Sequence, residues 1–140
     1  MADPKFTKDE REAFLADLHV GVISIERDGR APLTVPIWYD YADGDVIIWT
    51  EQQSRKAALI KSAGRFSLCV QREEPPYQYV SVDGPVVGWQ EPAPTDVITR
   101  IARRYLGDDG DAYLESASDA PTVLIRMRPE RWSSMDYSKA

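Results

Sequence analysis

One hydroxyl group and two cations stand in consecutive positions at the predicted start of a short helix. Ser54, Arg55 and Lys56 follow an apolar, β-branched strand over residues 46–49 and precede an apolar helical run over residues 57–60. Backbone N–H groups at a helix start carry partial positive charge, and a guanidinium offers two parallel donors to phosphate oxygens. The spacing predicts a phosphate-binding helix start. The alternative is a solvated helix start with two ordinary surface cations.

Length and charge restrict the classes of protein to which the chain can belong. Its 140 residues suit one domain with its own core, so we expect a single domain over residues 1–140. The net charge of -6 disfavours a nucleic-acid partner, because no basic face outweighs the acidic balance. An anionic ligand therefore needs a local positive pocket, for which the two adjacent cations are candidates.

Other kinds of site have little support in the sequence. Cys69 is the only cysteine, which excludes an internal disulfide and a multi-cysteine metal site, and no metal site is predicted. His19 is the only histidine and has no nucleophile motif nearby, so Ser-His-Asp chemistry is disfavoured. The N-terminus lacks the apolar core of a signal peptide, and no run approaches a membrane span. We expect a cytoplasmic protein without a membrane partner.

The first half of the chain predicts a capped helix followed by hairpin-linked strands. Thr7 and Glu10 form a capping-box pattern, and apolar residues follow at helical spacing to Leu18. Strands are expected over residues 20–26, 31–41 and 46–50, separated by Asp-Gly turns. Pro32 and Pro36 mark the second of these strands as an edge or a bulge. A helix over residues 54–62 and a strand over residues 66–71 come next.

The second half predicts a long strand, a helix and a final strand. The long strand covers residues 77–89 and bends at Gly84-Pro85, and Thr95 is expected to cap a helix that ends at Gly107. Residues 108–118 fit either a helix or a loop. A strand over residues 122–127 is followed by an aromatic tail over residues 132–137. Six strands with helices around them predict a mainly β fold, a small antiparallel barrel with helical covers.

The segment that begins at Trp49 resembles the phosphate-binding segment of the pyridoxamine 5′-phosphate oxidase-like split β-barrels, which bind FMN or the deazaflavin F420. The resemblance implies that Thr50, Ser54, Arg55 and Lys56 hold the cofactor phosphate. It also implies a split β-barrel, and the order of the predicted elements agrees over nearly the whole chain.

Three further segments resemble parts of the same family. The strand that contains Pro36 resembles the one that runs along the cofactor ring in the relatives, where its backbone bonds the pyrimidine edge. The alternative for this segment is a bulged edge strand without a ligand. Tyr79 falls where some relatives carry a polar cofactor contact, and Trp132 belongs to a segment that resembles a C-terminal tail reaching a dimer-related site. The residues implied on the ring strand are Thr34, Val35, Pro36 and Ile37.

Departures from the family narrow the function that the resemblance implies. Thr34 and Tyr39 stand where pyridoxamine phosphate oxidases carry basic residues, so oxidation of that vitamer is not expected. The short chain and the strand over residues 35–38 are more similar to the B-type deazaflavin-dependent subgroup. The resemblance thus implies an F420-dependent oxidoreductase that acts on a small unsaturated substrate. The alternatives are an FMN-dependent oxidoreductase and a non-catalytic flavin or haem binder.

The same resemblance implies a homodimer with its cofactor sites at the interface. Hydride transfer requires orientation and water exclusion more than side-chain chemistry, so no catalytic residue is assigned. Aromatic side chains could form a wall beside the ring, although an aromatic residue in a barrel also serves as core. The candidates for that wall are Trp38, Tyr41, Tyr77, Tyr79 and Trp89.

Overall fold

A computed structural model describes residues 3–139, with eight strands and four α-helices among them. The helices are α1 (Lys8–Ala16), α2 (Arg55–Ala63), α3 (Thr95–Leu106) and α4 (Gly110–Ser116). The strands are β1 (Gly21–Arg27), β2 (Arg30–Ile37), β3 (Asp40–Ala42), β4 (Asp45–Glu51), β5 (Arg65–Arg72), β6 (Gln78–Gln90), β7 (Thr122–Met127) and β8 (Arg131–Asp136). Short 3₁₀ turns cover Gly107–Asp109 and Tyr137–Lys139.

The long strand β6 joins two antiparallel sheets into a split β-barrel. Its first half pairs with β5 and β8, and its second half pairs with β7. The order of strands along the sheet is β2-β1-β5-β6-β7-β4-β3. The strand changes partners at Gly84-Pro85, where the sequence predicts a bend. The mainly β fold predicted from the sequence is confirmed.

Strand β4 lies in the middle of the molecule and is buried on both faces, as its composition predicts. Val46 and Ile48 belong to the main core, which α1 and α2 cover with Leu15 and Ile60. Ile47 points the other way, into a smaller core beneath α3. The strand that leads to the helix start is therefore held rigidly between two apolar layers.

The expected strand over residues 31–41 is instead two strands, β2 and β3. The backbone N–H of Tyr39 donates to the Tyr105 hydroxyl at 3.1 Å rather than to a neighbouring strand. The buried Tyr39 side chain donates its own hydroxyl to the Leu15 carbonyl. These two bonds hold the chain where it passes from one sheet to the other, and helices that are distant in sequence provide both acceptors.

The predicted aromatic tail over residues 132–137 is wrong, because Arg131–Asp136 form strand β8. Trp132 pairs with Val82 of β6 and packs against the main core. This strand and the division of the expected second strand bring the strand count to eight rather than six.

Thr95 is also not the cap of α3, since Pro94 occupies the cap position and makes no side-chain bond there. Residues 110–116 form α4, which decides an alternative that the sequence left open.

The predicted start of α1 and the predicted end of α2 are confirmed, whereas α1 ends at Ala16, before Leu18. Thr7 and Glu10 form a complete capping box at the start of α1. Gly64 ends α2 in the left-handed region at φ 72°, which glycine adopts without steric cost. Among residues 3–139, no helix is both long enough and apolar enough to cross a membrane.

Candidate functional site

The start of helix α2 presents two hydroxyl groups and two cations. Ser54 is the N-cap, and its Oγ accepts a bond from the Ala57 N–H at 3.0 Å. The Thr50 hydroxyl at the end of β4 lies 3.2 Å from the same Oγ. The first turn contains Arg55 and Lys56 but no acidic residue. Cations are unfavourable beside the positive end of a helix, so this composition is explained better by ligand binding than by helix stability.

Lys56 has the electrostatic character expected of a ligand for an anion. Its side chain is half-buried, and burial lowers its pKa from the usual value. Within residues 3–139 it belongs to no ion pair. A partly desolvated ammonium that lies in no ion pair is costly, and a bound phosphate would supply a partner in direct contact.

Lys56 faces a cavity of about 280 Å³ that brings the predicted segments together. Pro36 and Ile37 at the end of β2 line this cavity together with Thr50 and Trp49 at the end of β4. Strand β2 lies at one end of the strand order, so one of its edges pairs with no strand among the described residues. Its backbone at Pro36 is therefore available to a ligand, as the prolines predict. The full lining is Pro36, Ile37, Trp38, Trp49, Thr50, Glu51, Lys56 and Tyr113.

Aromatic side chains form one wall of this cavity, which we call the Lys56 cavity. Trp38 stacks on Tyr105 with ring centroids 5.0 Å apart and an interplanar angle of 5°. Tyr113 and Trp49 contact the same indole at centroid distances of 5.2 and 6.3 Å. A planar ring system entering the cavity would meet these faces.

The aromatic residues proposed from the sequence are only partly at this wall. Trp38 lines the Lys56 cavity, whereas Tyr41 and Trp89 pack against the main core and Tyr77 is 52% exposed. Tyr113 was missed because its segment fits either a helix or a loop by sequence. Only the choice of a helix for residues 108–118 would have indicated which way Tyr113 points.

Arg55 faces a different cavity from its neighbour Lys56. This second cavity, of about 530 Å³, lies between α2 and the hairpin that joins β1 to β2, and we call it the hairpin cavity. Arg27 and Arg30 of the hairpin line it together with Arg55. The sequence predicted one phosphate site at this helix start. In the structure, two cavities meet there instead.

Besides Ser54, four residues implied by the resemblance line neither cavity. Thr34 lies on the outer face of the sheet, with its hydroxyl 3.4 Å from that of Ser24. Val35 packs against the main core, and Trp132 does so beneath the Arg11 guanidinium, which lies 4.5 Å from the ring centroid. Tyr79 pairs with Gln71 and Met135 in the middle of its sheet. Their roles in cofactor binding stay predictions.

A further cavity of about 430 Å³ adjoins the Lys56 cavity and shares Trp49, Glu51 and Tyr113 with it. The rest of its lining comes from the start of α3, from α4 and from the residues that follow α4, with apolar and hydroxyl side chains. Two adjoining cavities that share an aromatic wall can hold two small molecules beside each other. The remaining lining residues are Thr95, Ile98, Leu114, Ser116, Ala117, Ser118, Ala120 and Thr122.

His19 and Cys69 have surroundings that suit structural roles. His19 Nε2 is hydrogen-bonded to the Phe14 carbonyl at 2.9 Å, and its ring stacks on that of Phe14. Burial raises the pKa of the Cys69 thiol, which leaves less reactive thiolate. Among residues 3–139, no group of three or more His, Cys, Asp or Glu side chains is placed to hold a metal ion.

Comparison with known proteins agrees with the family resemblance. The sequence pattern of a family described as pyridoxamine 5′-phosphate oxidase matches residues 7–136. Comparison with curated protein sequences gives no significant match.

Solved structures share the fold over nearly the whole chain. A conserved hypothetical protein from Mycobacterium tuberculosis has a TM-score of 0.76 at 20% identity, covering 99% of this chain and 90% of that chain. A structure described as an F420 reductase has a TM-score of 0.71 at 22% identity, covering 87% and 94%. An FAD-binding protein from Mesorhizobium loti has a TM-score of 0.66 at 21% identity, covering 93% and 94%. At these identities the likeness shows a shared fold.

Proposed function

The chain belongs to the pyridoxamine 5′-phosphate oxidase family of flavin-binding split barrels, and we propose that it is an F420-dependent oxidoreductase. The proposed reaction transfers a hydride between the deazaflavin and a small unsaturated organic substrate. The observation that carries the proposal is Lys56, a half-buried ammonium that lies in no ion pair within residues 3–139. It opens onto an aromatic-walled cavity at a helix start.

The residues of the Lys56 cavity fit a phosphorylated ring cofactor. Lys56 and the Thr50 hydroxyl would hold the phosphate beside the free N–H groups of the α2 start. Trp38 and Trp49 would pack along the ring system, and the unpaired edge of β2 at Pro36 would face its polar edge. The adjoining cavity would place a substrate beside the ring, across the shared Tyr113.

When bound, a reduced deazaflavin supplies a hydride to an electron-poor carbon of the substrate. The protein contributes orientation and the exclusion of water, which can account for a large part of the rate. Glu51 and Tyr113 line both cavities, so either of them, or water, would deliver the accompanying proton. The substrate would then gain one hydride and one proton.

FMN is the alternative cofactor, because its phosphate would fit the same helix start. The described F420 reductase and the FAD-binding protein share this fold, so both kinds of ring fit such a barrel. A haem-binding role has less support, because His19 is already bonded to a backbone carbonyl and lines neither the Lys56 cavity nor the cavity beside it.

We expect the purified protein to bind F420 with one cofactor per chain. The experiment is a fluorescence or absorbance titration of the apoprotein with F420, FMN, FAD and haem in parallel. Tighter binding of F420 than of FMN supports the deazaflavin assignment, and the reverse order makes FMN the cofactor. The absence of binding to all four would refute the proposed function.

We further propose that a second copy of the chain completes the site. Directly paired residues share one face of a sheet, and two rows on the outer face of β1, β5, β6 and β8 contain mostly small side chains. Pro36 lines both the Lys56 cavity and a cavity of about 460 Å³ on this outer face. A partner on that face would therefore close one side of the cofactor site. The paired rows are Val22, Cys69, Ser81 and Ser133, and Ser24, Ser67, Asp83 and Arg131.

We expect a homodimer at micromolar concentration, measured by light scattering with size-exclusion chromatography. Ser67→Arg should give a monomer with weaker cofactor binding, because a long charged side chain among the small ones around Ser67 would hold the two faces apart. Ala112→Arg is the matched control, since Ala112 is exposed on α4, and it should remain dimeric. A monomeric wild-type protein would contradict this part of the proposal.

A further inference from the structure

Three guanidinium groups meet at the hairpin cavity, although the chain as a whole is acidic. Arg27 and Arg30 come from the two strands of the hairpin, and Arg55 comes from the start of α2. Within residues 3–139, none of the three belongs to an ion pair. Arginine stays protonated in proteins, so these are three permanent positive charges.

The protein holds one of these charges in place by a bond to its own hairpin. Arg27 Nε donates to the Ala31 carbonyl at 2.9 Å, which leaves the terminal nitrogens of the guanidinium available. The pKa of Arg27 is lowered by desolvation and, after that, by the charges of Arg30 and Arg55. The three cations therefore repel one another, and a bound anion would relieve that repulsion.

Two carboxylates also line the hairpin cavity, namely Glu26 and Asp28. They pair with none of the three arginines within residues 3–139. They reduce the net positive charge of the cavity, so a diffuse attraction for polyanions is a weak explanation. The arrangement favours instead a ligand that places discrete anionic groups on individual guanidiniums.

The helix start connects this cavity to the proposed phosphate site. Arg55 and Lys56 are adjacent residues, and one faces the hairpin cavity while the other faces the Lys56 cavity. A cofactor whose phosphate lies at Ser54 can therefore continue past Arg55 towards the hairpin. This continuation is available only to a cofactor that extends beyond its first phosphate.

We propose that Arg27, Arg30 and Arg55 bind a second anionic group of the cofactor, beyond the phosphate held at the start of α2. The inference rests on the proposed function and adds the class of cofactor to it. Two sources share this chemistry, the carboxylates of the F420 oligoglutamate tail and the second phosphate of FAD. FMN ends at its first phosphate, so it gains nothing from the hairpin cavity.

The test compares cofactors with and without the second anionic group. Dissociation constants are measured by fluorescence for oligoglutamate F420, its form without glutamates, FAD and FMN. The double variant Arg27→Gln, Arg30→Gln should bind a cofactor that has the second group about five- to thirtyfold more weakly. Its affinity for FMN should change by less than about twofold. A loss confined to oligoglutamate F420 assigns the cavity to the tail, and one confined to FAD assigns it to the diphosphate.

Two controls distinguish the loss of direct contacts to the cofactor from a change in net charge and from a change in folding. Lys5→Gln with Lys8→Gln makes the same change in net charge at exposed positions and should leave all four affinities unchanged. Arg30→Gln alone retains the Arg27 bond to the hairpin and should give a partial loss. Equal affinities for wild type and double variant, or equal losses for FMN and the longer cofactors, would overturn the inference and leave the proposed function intact. No binding of any cofactor by the wild type would refute both.

Discussion

The double variant Arg55→Ala, Lys56→Ala is expected to bind F420 about two to four powers of ten more weakly than the wild type. Each charge-assisted bond to an anionic group at a partly screened site contributes on the order of 1.5–3 kcal/mol. Two such bonds therefore correspond to that loss, because each 1.4 kcal/mol is about tenfold in affinity. The measurement is a fluorescence titration of the wild type and the variant under identical salt.

The single variants should separate the two cavities. Lys56→Ala should weaken FMN and F420 binding alike, because both carry the phosphate placed at the Lys56 cavity. Arg55→Ala should weaken binding of the cofactor with the longer anionic chain more than that of FMN, since Arg55 faces the hairpin cavity. Wild-type affinity in the double variant would show that both are ordinary solvated cations, and the central inference would fail.

The unfolding free energy should not decrease in the Lys56→Ala variant. The sequence suggested an exposed cation, but Lys56 is half-buried and burial lowers its pKa. Replacing it removes a desolvation cost and a charge of the wrong sign at a helix start. Urea denaturation of the apoprotein would measure this, and a clear loss of stability would indicate a structural role for Lys56.

Local patterns in the sequence were sufficient to predict the helices and strands that position the site. Three of these patterns involve only residues that are close in sequence. They are the β-branched run in β4, the capping box of α1 and the glycine that ends α2. The prolines of β2 identified an edge strand for a similarly local reason, since proline removes a ladder donor. In the structure, residues of β2, β4 and α2 line one cavity.

Contacts between distant segments decided the features that the sequence did not predict. Tyr39 leaves the sheet because Tyr105 and Leu15 supply its hydrogen-bond partners. Trp132 joins a strand because β6 offers it an edge, which no local pattern indicates. The separation of Arg55 from Lys56 was predictable, because adjacent helical side chains point about 100° apart. The sequence interpretation treated the two as one cradle.

The Gly84→Ala substitution is expected to destabilise the fold more than any other single change proposed for this chain. A Cβ at position 84 would lie 1.8 Å from the Arg128 carbonyl oxygen, which belongs to the backbone. That backbone cannot move aside easily, because Arg128 N–H donates to the Pro85 carbonyl and Glu130 N–H donates to the Asp83 carbonyl. We expect a loss of about 3 kcal/mol or more from overpacking and displaced hydrogen bonds.

Gly88→Ala is the matched control, because Gly88 lies in the same strand and the atoms nearest to an added Cβ all belong to the Arg126 side chain, at 3.1 Å and beyond. A flexible side chain can shift by a few tenths of an ångström, so the cost should stay below about 1 kcal/mol. Thermal and urea unfolding followed by circular dichroism would compare both variants with the wild type. A fold of this size has about 5–15 kcal/mol of stability in total, so Gly84→Ala should lower the unfolding midpoint markedly. Equal midpoints for the two variants would show that the backbone after β7 yields at Gly84, and that the close approach there does not constrain the bend between the two sheets.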